Sequence, residues 1–163
     1  MKNKLNIPSN CGFCKNCFNN KRDGSAYCGN CDKERKEIYI DKQINFPLID
    51  KIKKIFPIKF NTIFAYDDTI YTNNDLDYSL IRHEITHILQ QEKLGKDEWW
   101  NKYLNNKYFR LKQELEAYGN QYKCYKEVGL KKAEVMLDFI AKDLSSELYG
   151  NIISYQEVIN LIK

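Results

Sequence analysis

His83-Glu84-Ile85-Thr86-His87 has the residue types and the spacing of a metal-assisted hydrolytic site. On a helix, residues four apart lie on one face, one turn apart, so both imidazoles can reach a single ion. Glu84 then sits beside that ion rather than on it. A general base for a zinc-activated water belongs there. The 163-residue chain has two histidines, and both are in this motif. A catalytic zinc takes three protein ligands and keeps one position open for water. With no third histidine, the remaining ligand must be a carboxylate or a cysteine, which excludes sites that hold zinc with three histidines. The structural alternative is an ordinary surface helix carrying the same residues.

The best source of a third ligand is Gln113-Glu114-Leu115-Glu116-Ala117-Tyr118. Glu114 follows His87 by 27 residues, which leaves room for a connecting segment and a second helix crossing beneath the metal. Glu114 and Glu116 are about 200° apart on a helix, so one of them faces the ion. The other is a surface residue or a support for a ligand histidine. The pattern alone does not choose between them. Tyr71, Tyr118 and Arg82 are candidate donors to an oxyanion.

A second metal site is written in the cysteines. Cys11, Cys14, Cys17, Cys28 and Cys31 form two C-x-x-C pairs with one thiol to spare. Such pairs are the framework of a tetrahedral structural zinc site. Gly12 and Gly29 occupy equivalent positions in the pairs headed by Cys11 and Cys28, which favours Cys11, Cys14, Cys28 and Cys31. The set Cys14, Cys17, Cys28 and Cys31 competes with it. Lys15, Lys21, Arg22, Lys33, Arg35 and Lys36 make the segment basic, but Asp23, Asp32, Glu34 and Glu37 dilute that charge. The segment suits a protein or nucleic-acid partner, or zinc in place of a core too small to form.

Several elements must position the motif. Apolar residues at helical spacing predict a helix over residues 48–56, between Pro47 and Pro57. The β-branched and aromatic run 58–66 and residues 69–72 predict a hairpin turning at Asp67-Asp68. Its edge strand could take an extended substrate by β-augmentation, or simply support the helix. Residues 38–44 are a short strand or a linker. Asn73, Asn74 or Asp75 caps the motif helix, Ile81, Ile85 and Ile88 form its core stripe, and Gly95 ends it. Asp97 caps a connecting helix whose Trp99, Trp100, Tyr103 and Leu104 pack over the metal helices. A helix over residues 109–125 carries Glu114 and breaks at Gly129. The next, residues 131–144, turns Val135, Met136, Phe139 and Ile140 inward. Ser154 caps a last helix ending at Ile162, and Cys124 is a buried structural thiol.

Composition bounds the rest. Hydrophobic residues make up 43% of the chain, enough for a core, and the net charge is +4. No apolar leader or stretch of membrane-spanning length is present, which predicts a cytoplasmic protein with no membrane partner. Six cysteines in such a chain suit metal ligation better than disulfides.

The run His83-Glu84-Ile85-Thr86-His87-Ile88-Leu89-Gln90-Gln91, followed by Glu114-Leu115-Glu116-Ala117-Tyr118, resembles the gluzincin type of zincin-like metallopeptidase. It is similar to small metallopeptidase domains of phage and bacterial type that carry HE-x-x-H-x-x-Q and then E-x-E-A. The resemblance covers about residues 58–126. It implies His83, His87 and Glu114 as zinc ligands, Glu84 as general base, and a peptide or protein substrate. Tyr118 stands where the wider family has an Asp. The expected architecture is α+β: a zincin-like domain over 38–163, mainly helical with a small hairpin or sheet, behind a zinc-ribbon-like segment over 1–37. The expected cofactors are one catalytic and one structural zinc.

Overall fold

A computed structural model describes residues 2–5 and 37–163. Cys11, Cys14, Cys17, Cys28 and Cys31, and with them the expected four-cysteine site, lie outside the described residues. The described chain is mainly helical with a small sheet. Its elements run β1 (Asn3–Lys4), β2 (Tyr39–Asp41), α1 (Ile49–Ile52), β3 (Phe64–Tyr66), β4 (Thr69–Tyr71), α2 (Tyr78–Leu94), α3 (Lys96–Asn105), α4 (Lys107–Val128), α5 (Leu130–Leu144) and α6 (Tyr155–Ile162). Short 3₁₀ turns precede α1 and follow α5.

The sheet order is β1-β2-β4-β3. β1 pairs antiparallel with β2, β2 parallel with β4, and β4 antiparallel with β3. Asn3 and Lys4, at the start of the segment expected to stand apart as a ribbon, thus join the same sheet as residues 39–41. β4 is central and buried at all three of its residues, as expected for a strand covered on both faces. The β3–β4 hairpin turns at Asp67, which takes the left-handed φ of 57° that Asp tolerates better than most residues.

α2 begins at Asp77, whose carboxylate accepts from the Leu80 N–H at 2.9 Å. The cap expected at residues 73–75 therefore falls later, at the residue whose side chain reaches the orphaned amide of the third helical residue. α2 stops at Gly95, whose φ of 91° few other residues would accept. The same Gly95 opens α3, so Asp97 is not the cap. It lies in the first turn and accepts from the Tyr66 hydroxyl. Asn106 caps α4, accepting from two amides at 3.0 Å. Gly129 (φ 148°) separates α4 from α5. Ser154 and Glu157 form a complete capping box at α6.

Three other expectations shift. α1 is one turn, not a helix to Phe56. Only Phe64–Tyr66 of the run 58–66 pairs as a strand. The buried Gln43 amide donates to the Lys59 carbonyl at 2.9 Å and holds that run as irregular chain. On α5, Val135 and Phe139 are exposed, while Ala133, Leu137, Ile140, Ala141 and Leu144 are buried. The buried residues fall at helical spacing and form one stripe facing the core shared with α4 and α6.

α2 packs most extensively against α4 and also covers β3. An aromatic core of Phe46, Phe64, Tyr71, Trp99 and Trp100 fills the space between sheet and α3. A second core joins α4, α5 and α6. Gln91 of α2 closes the open edge of β3: its amide donates to the Ala65 carbonyl at 2.8 Å and accepts from the Asp67 N–H at 3.0 Å. A neighbouring parallel strand would bond the same two groups. Trp100 Nε1 donates to the Ala65 carbonyl as well. Of the two readings of this edge, a dock for extended substrate or a support for the helix, the contacts at Ala65 and Asp67 match the support. No helix among the described residues is long and apolar enough to cross a membrane.

Candidate metal centre

α2 delivers His83, Glu84 and His87, all buried, and α4 delivers Glu114, 3% exposed. The long α2–α4 contact brings them together. Asn120 of α4 donates to Thr86 Oγ1 at 3.1 Å and ties the two helices beside the motif. His83 Nε2 and His87 Nε2 lie 3.1 Å apart. Glu114 Oε2 is 3.3 Å from His83 Nε2, and its Oε1 is 3.2 Å from His87 Nε2. A tetrahedral ion with ligand bonds of about 2.0 Å keeps its donor atoms about 3.3 Å apart. Each of these separations is close to that value, the two to Glu114 through different carboxylate oxygens, and His83, His87 and Glu114 form a group that could hold a metal ion.

Hydrogen bonding behind the histidines sets which atoms face inward. Gln90 Nε2 lies against two acceptors, the Gln113 carbonyl at 3.1 Å and Glu116 Oε2 at 3.0 Å. That fixes the Gln90 amide with Oε1 toward His87 Nδ1, at 2.9 Å. His87 must then donate from Nδ1, and its Nε2 turns a lone pair to the cluster. Gln121 Oε1 stands 3.0 Å from His83 Nδ1, where it accepts when His83 carries its proton on Nδ1. Three acceptors therefore converge within hydrogen-bonding distance of one another. A positive charge has to sit among them, and amides holding imidazoles in this way are typical of metal ligands.

The electrostatics follow from this crowding. Burial opposes a charge on His87, but the Glu114 carboxylate, bonded to it, and nearby Glu84 outweigh burial and raise its pKa to about 9. Glu114 is likewise opposed by burial, yet the two imidazoles hold its pKa far below the usual carboxylate range. Glu84 moves the other way. Burial pushes its carboxyl up and Glu114 adds to this, against the pull of the histidines. Among the described residues no hydrogen bond reaches the Glu84 carboxylate, which lines a cavity of about 740 Å³ together with His83, His87 and Glu114. That size suits a ligand pocket.

The structure thus separates the two glutamates. Glu114 meets the histidines, and Glu116, exposed, supports His87 through Gln90. Tyr103 donates to Glu114 Oε1 at 2.6 Å and stacks on Trp99, whose ring lies 5.5 Å from that of His87. Of the three expected oxyanion donors, only Tyr118 lines the cavity. Its ring packs 4.5 Å from His83, and its hydroxyl donates to Asp143 at 2.7 Å. Tyr71 belongs to the aromatic core. The residues with no readable signal in the sequence are Gln121, Asp143, Tyr149 and Arg110. They reach the site from a later turn of α4, from α5 and the turn after it, and from the start of α4. Their spacing carries no pattern because tertiary packing alone assembles them. Comparison with protein families, with curated proteins and with solved structures finds no match.

Proposed function

We propose that this protein is a zinc-dependent peptidase of zincin-like type, with zinc held by His83, His87 and Glu114 and Glu84 as general base. The observation that supports this reading is the convergence of three lone-pair donors beside a buried carboxylate that no hydrogen bond among the described residues reaches, in a cavity. Two imidazoles and one carboxylate are a zinc donor set, and soft or purely oxygen-seeking ions fit it less well.

Zinc when bound supplies a Lewis acid that acidifies water and polarises a carbonyl. The chain's own groups do the rest. Gln90 and Gln121 hold both imidazoles in the ligating tautomer. Glu84, with its pKa raised by burial, takes a proton from the attacking water as the water oxygen bonds to the peptide carbonyl carbon. It returns that proton to the departing amine nitrogen as the C–N bond breaks. Tyr118 remains a phenol because burial keeps its pKa well above the ordinary value, so it stays a hydrogen-bond donor beside His83.

The cysteine segment is proposed to carry a second, structural zinc and to bind a protein or nucleic-acid partner. Metal analysis should then find two zinc per chain, one lost on cysteine substitution and one in His83→Ala. Glu84→Gln should keep its zinc while peptide hydrolysis falls by at least about a thousandfold, as befits loss of both base and acid steps. A Glu84→Gln protein that cleaves like wild type would sink the mechanism. Wild type that binds zinc and cleaves nothing in a broad peptide library would point instead to a non-catalytic zinc module.

A further inference from the structure

The same cavity holds a cation that the hydrolytic reading does not use. Arg110, at the start of α4, is nine-tenths buried and lines the cavity. Its Nη1 donates to the Tyr103 carbonyl at 2.8 Å, a group left open at the end of α3. Its guanidinium carbon lies 4.8 Å from the Phe56 ring centre and 5.9 Å from that of Tyr103. Among the described residues it forms no ion pair, and its Nε, buried, has no hydrogen-bond partner. Buried arginines are almost always paired with an acid, because an unneutralised buried charge costs far more than cation–π contacts return. A helix end could be capped by a neutral donor at lower cost, so capping Tyr103 does not explain the charge.

The position of Arg110 says what its partner is. Arg110 precedes Glu114 by one helical turn on the same face of α4. Tyr103 bridges them, with its hydroxyl on Glu114 and its ring beside the guanidinium. One aromatic side chain therefore separates the cation from a metal ligand. That span matches one or two residues of extended peptide, at about 3.4 Å each. Resting on the peptidase reading, we propose that Arg110 binds a carboxylate of the substrate, one or two residues from the scissile bond. The planar fork of a guanidinium suits a carboxylate in particular. The carboxylate is either a chain terminus or an acidic side chain.

Titration calorimetry on the zinc-loaded Glu84→Gln protein tests this without turnover. The probes are N-acetylated alanyl-alanyl-phenylalanine as free acid, the same peptide as amide, and N-acetylated alanyl-glutamyl-phenylalanine amide. One acidic peptide should bind about 10- to 100-fold tighter than the neutral amide, and which of them does so identifies the carboxylate's source. Adding Arg110→Gln should bring that ratio close to one, and Arg110→Lys should retain part of it. The ratio is read within each protein, so partial damage from losing the Tyr103 contact does not mimic the effect. If Arg110→Gln fails to fold, the Lys variant and the parent decide. Equal affinity for acids and amide in the parent overturns the inference, as does no measurable binding of either acid or a preference unchanged in the Arg110 variants. Cleavage of neutral peptides by wild type would leave the hydrolase standing even then. Acid-selective binding without cleavage would leave Arg110's role standing and the hydrolase not.

Discussion

Without a metal, a proton must supply the positive charge that three converging acceptors demand. His87 carries it, with a pKa of about 9, while Glu114 stays ionised at all ordinary pH. The raised pKa means that the proton's contribution to stability is complete below the usual histidine value of about 6.5 and is lost as pH rises through about 9. Metal binding has to expel that proton. Apparent zinc affinity should therefore rise about tenfold per pH unit from pH 7 to about 9 and level off above. Competition with a chromophoric chelator at three pH values measures this. Affinity that is flat between pH 7.5 and 8.5 would show that His87 is already neutral in the metal-free protein. At this scale the motif residues were legible from spacing, because helical periodicity alone puts His83 and His87 on one face. Their partners Gln90 and Gln121 were not equally so. Gln90 shares the motif helix, whereas Gln121 depends on the register of α4 against α2.

The elements explain how the histidines are positioned. α2 is pinned at its start by Asp77, along its length by α4, and near its end by Gln91 on the edge of β3. Gln91 performs the work of a strand's peptide group from a helix. Gln91→Leu should remove the side chain that accepts from the Asp67 N–H and donates to the Ala65 carbonyl, and cost about 1–3 kcal/mol in urea unfolding, with an unchanged denaturant slope. A cost under about 0.5 kcal/mol would mean that the edge amide finds water instead. Helix limits set by single residues could be read directly: Gly95, Gly129 and Ser154 act where the sequence places them. Limits set by tertiary contact could not. The run 58–66 looks like one strand by composition, yet Gln43 claims its carbonyls. On α5, Val135 and Phe139 face outward while Leu137, Ile140 and Leu144 take the interior together with Ala133 and Ala141, a choice among apolar residues that packing makes.

For the whole molecule, metal and fold are one equilibrium. A ligand present at a thousand times its Kd and bound only by the folded state adds about 4 kcal/mol, or about 8–16 °C in Tm for a chain of this length. Zinc should raise the melting temperature by that order, and the rise should shrink by the same amount in His83→Ala. An equal rise in that variant would place the stabilising metal elsewhere in the chain. Residue types and intervals alone establish that a two-histidine helix needs a non-histidine third ligand, that Glu84 stands beside any ion there, and that the chain mixes helices with a short hairpin. All of these are local, governed by the 3.6-residue turn and the alternation of a strand. The choice of Glu114 over Glu116, the tautomers of both imidazoles, the closed β3 edge and the arrival of Arg110 and Asp143 in one cavity are decided only by packing. Each depends on how α4 and α5 rotate against α2, and that rotation is set by many weak contacts spread along the chain.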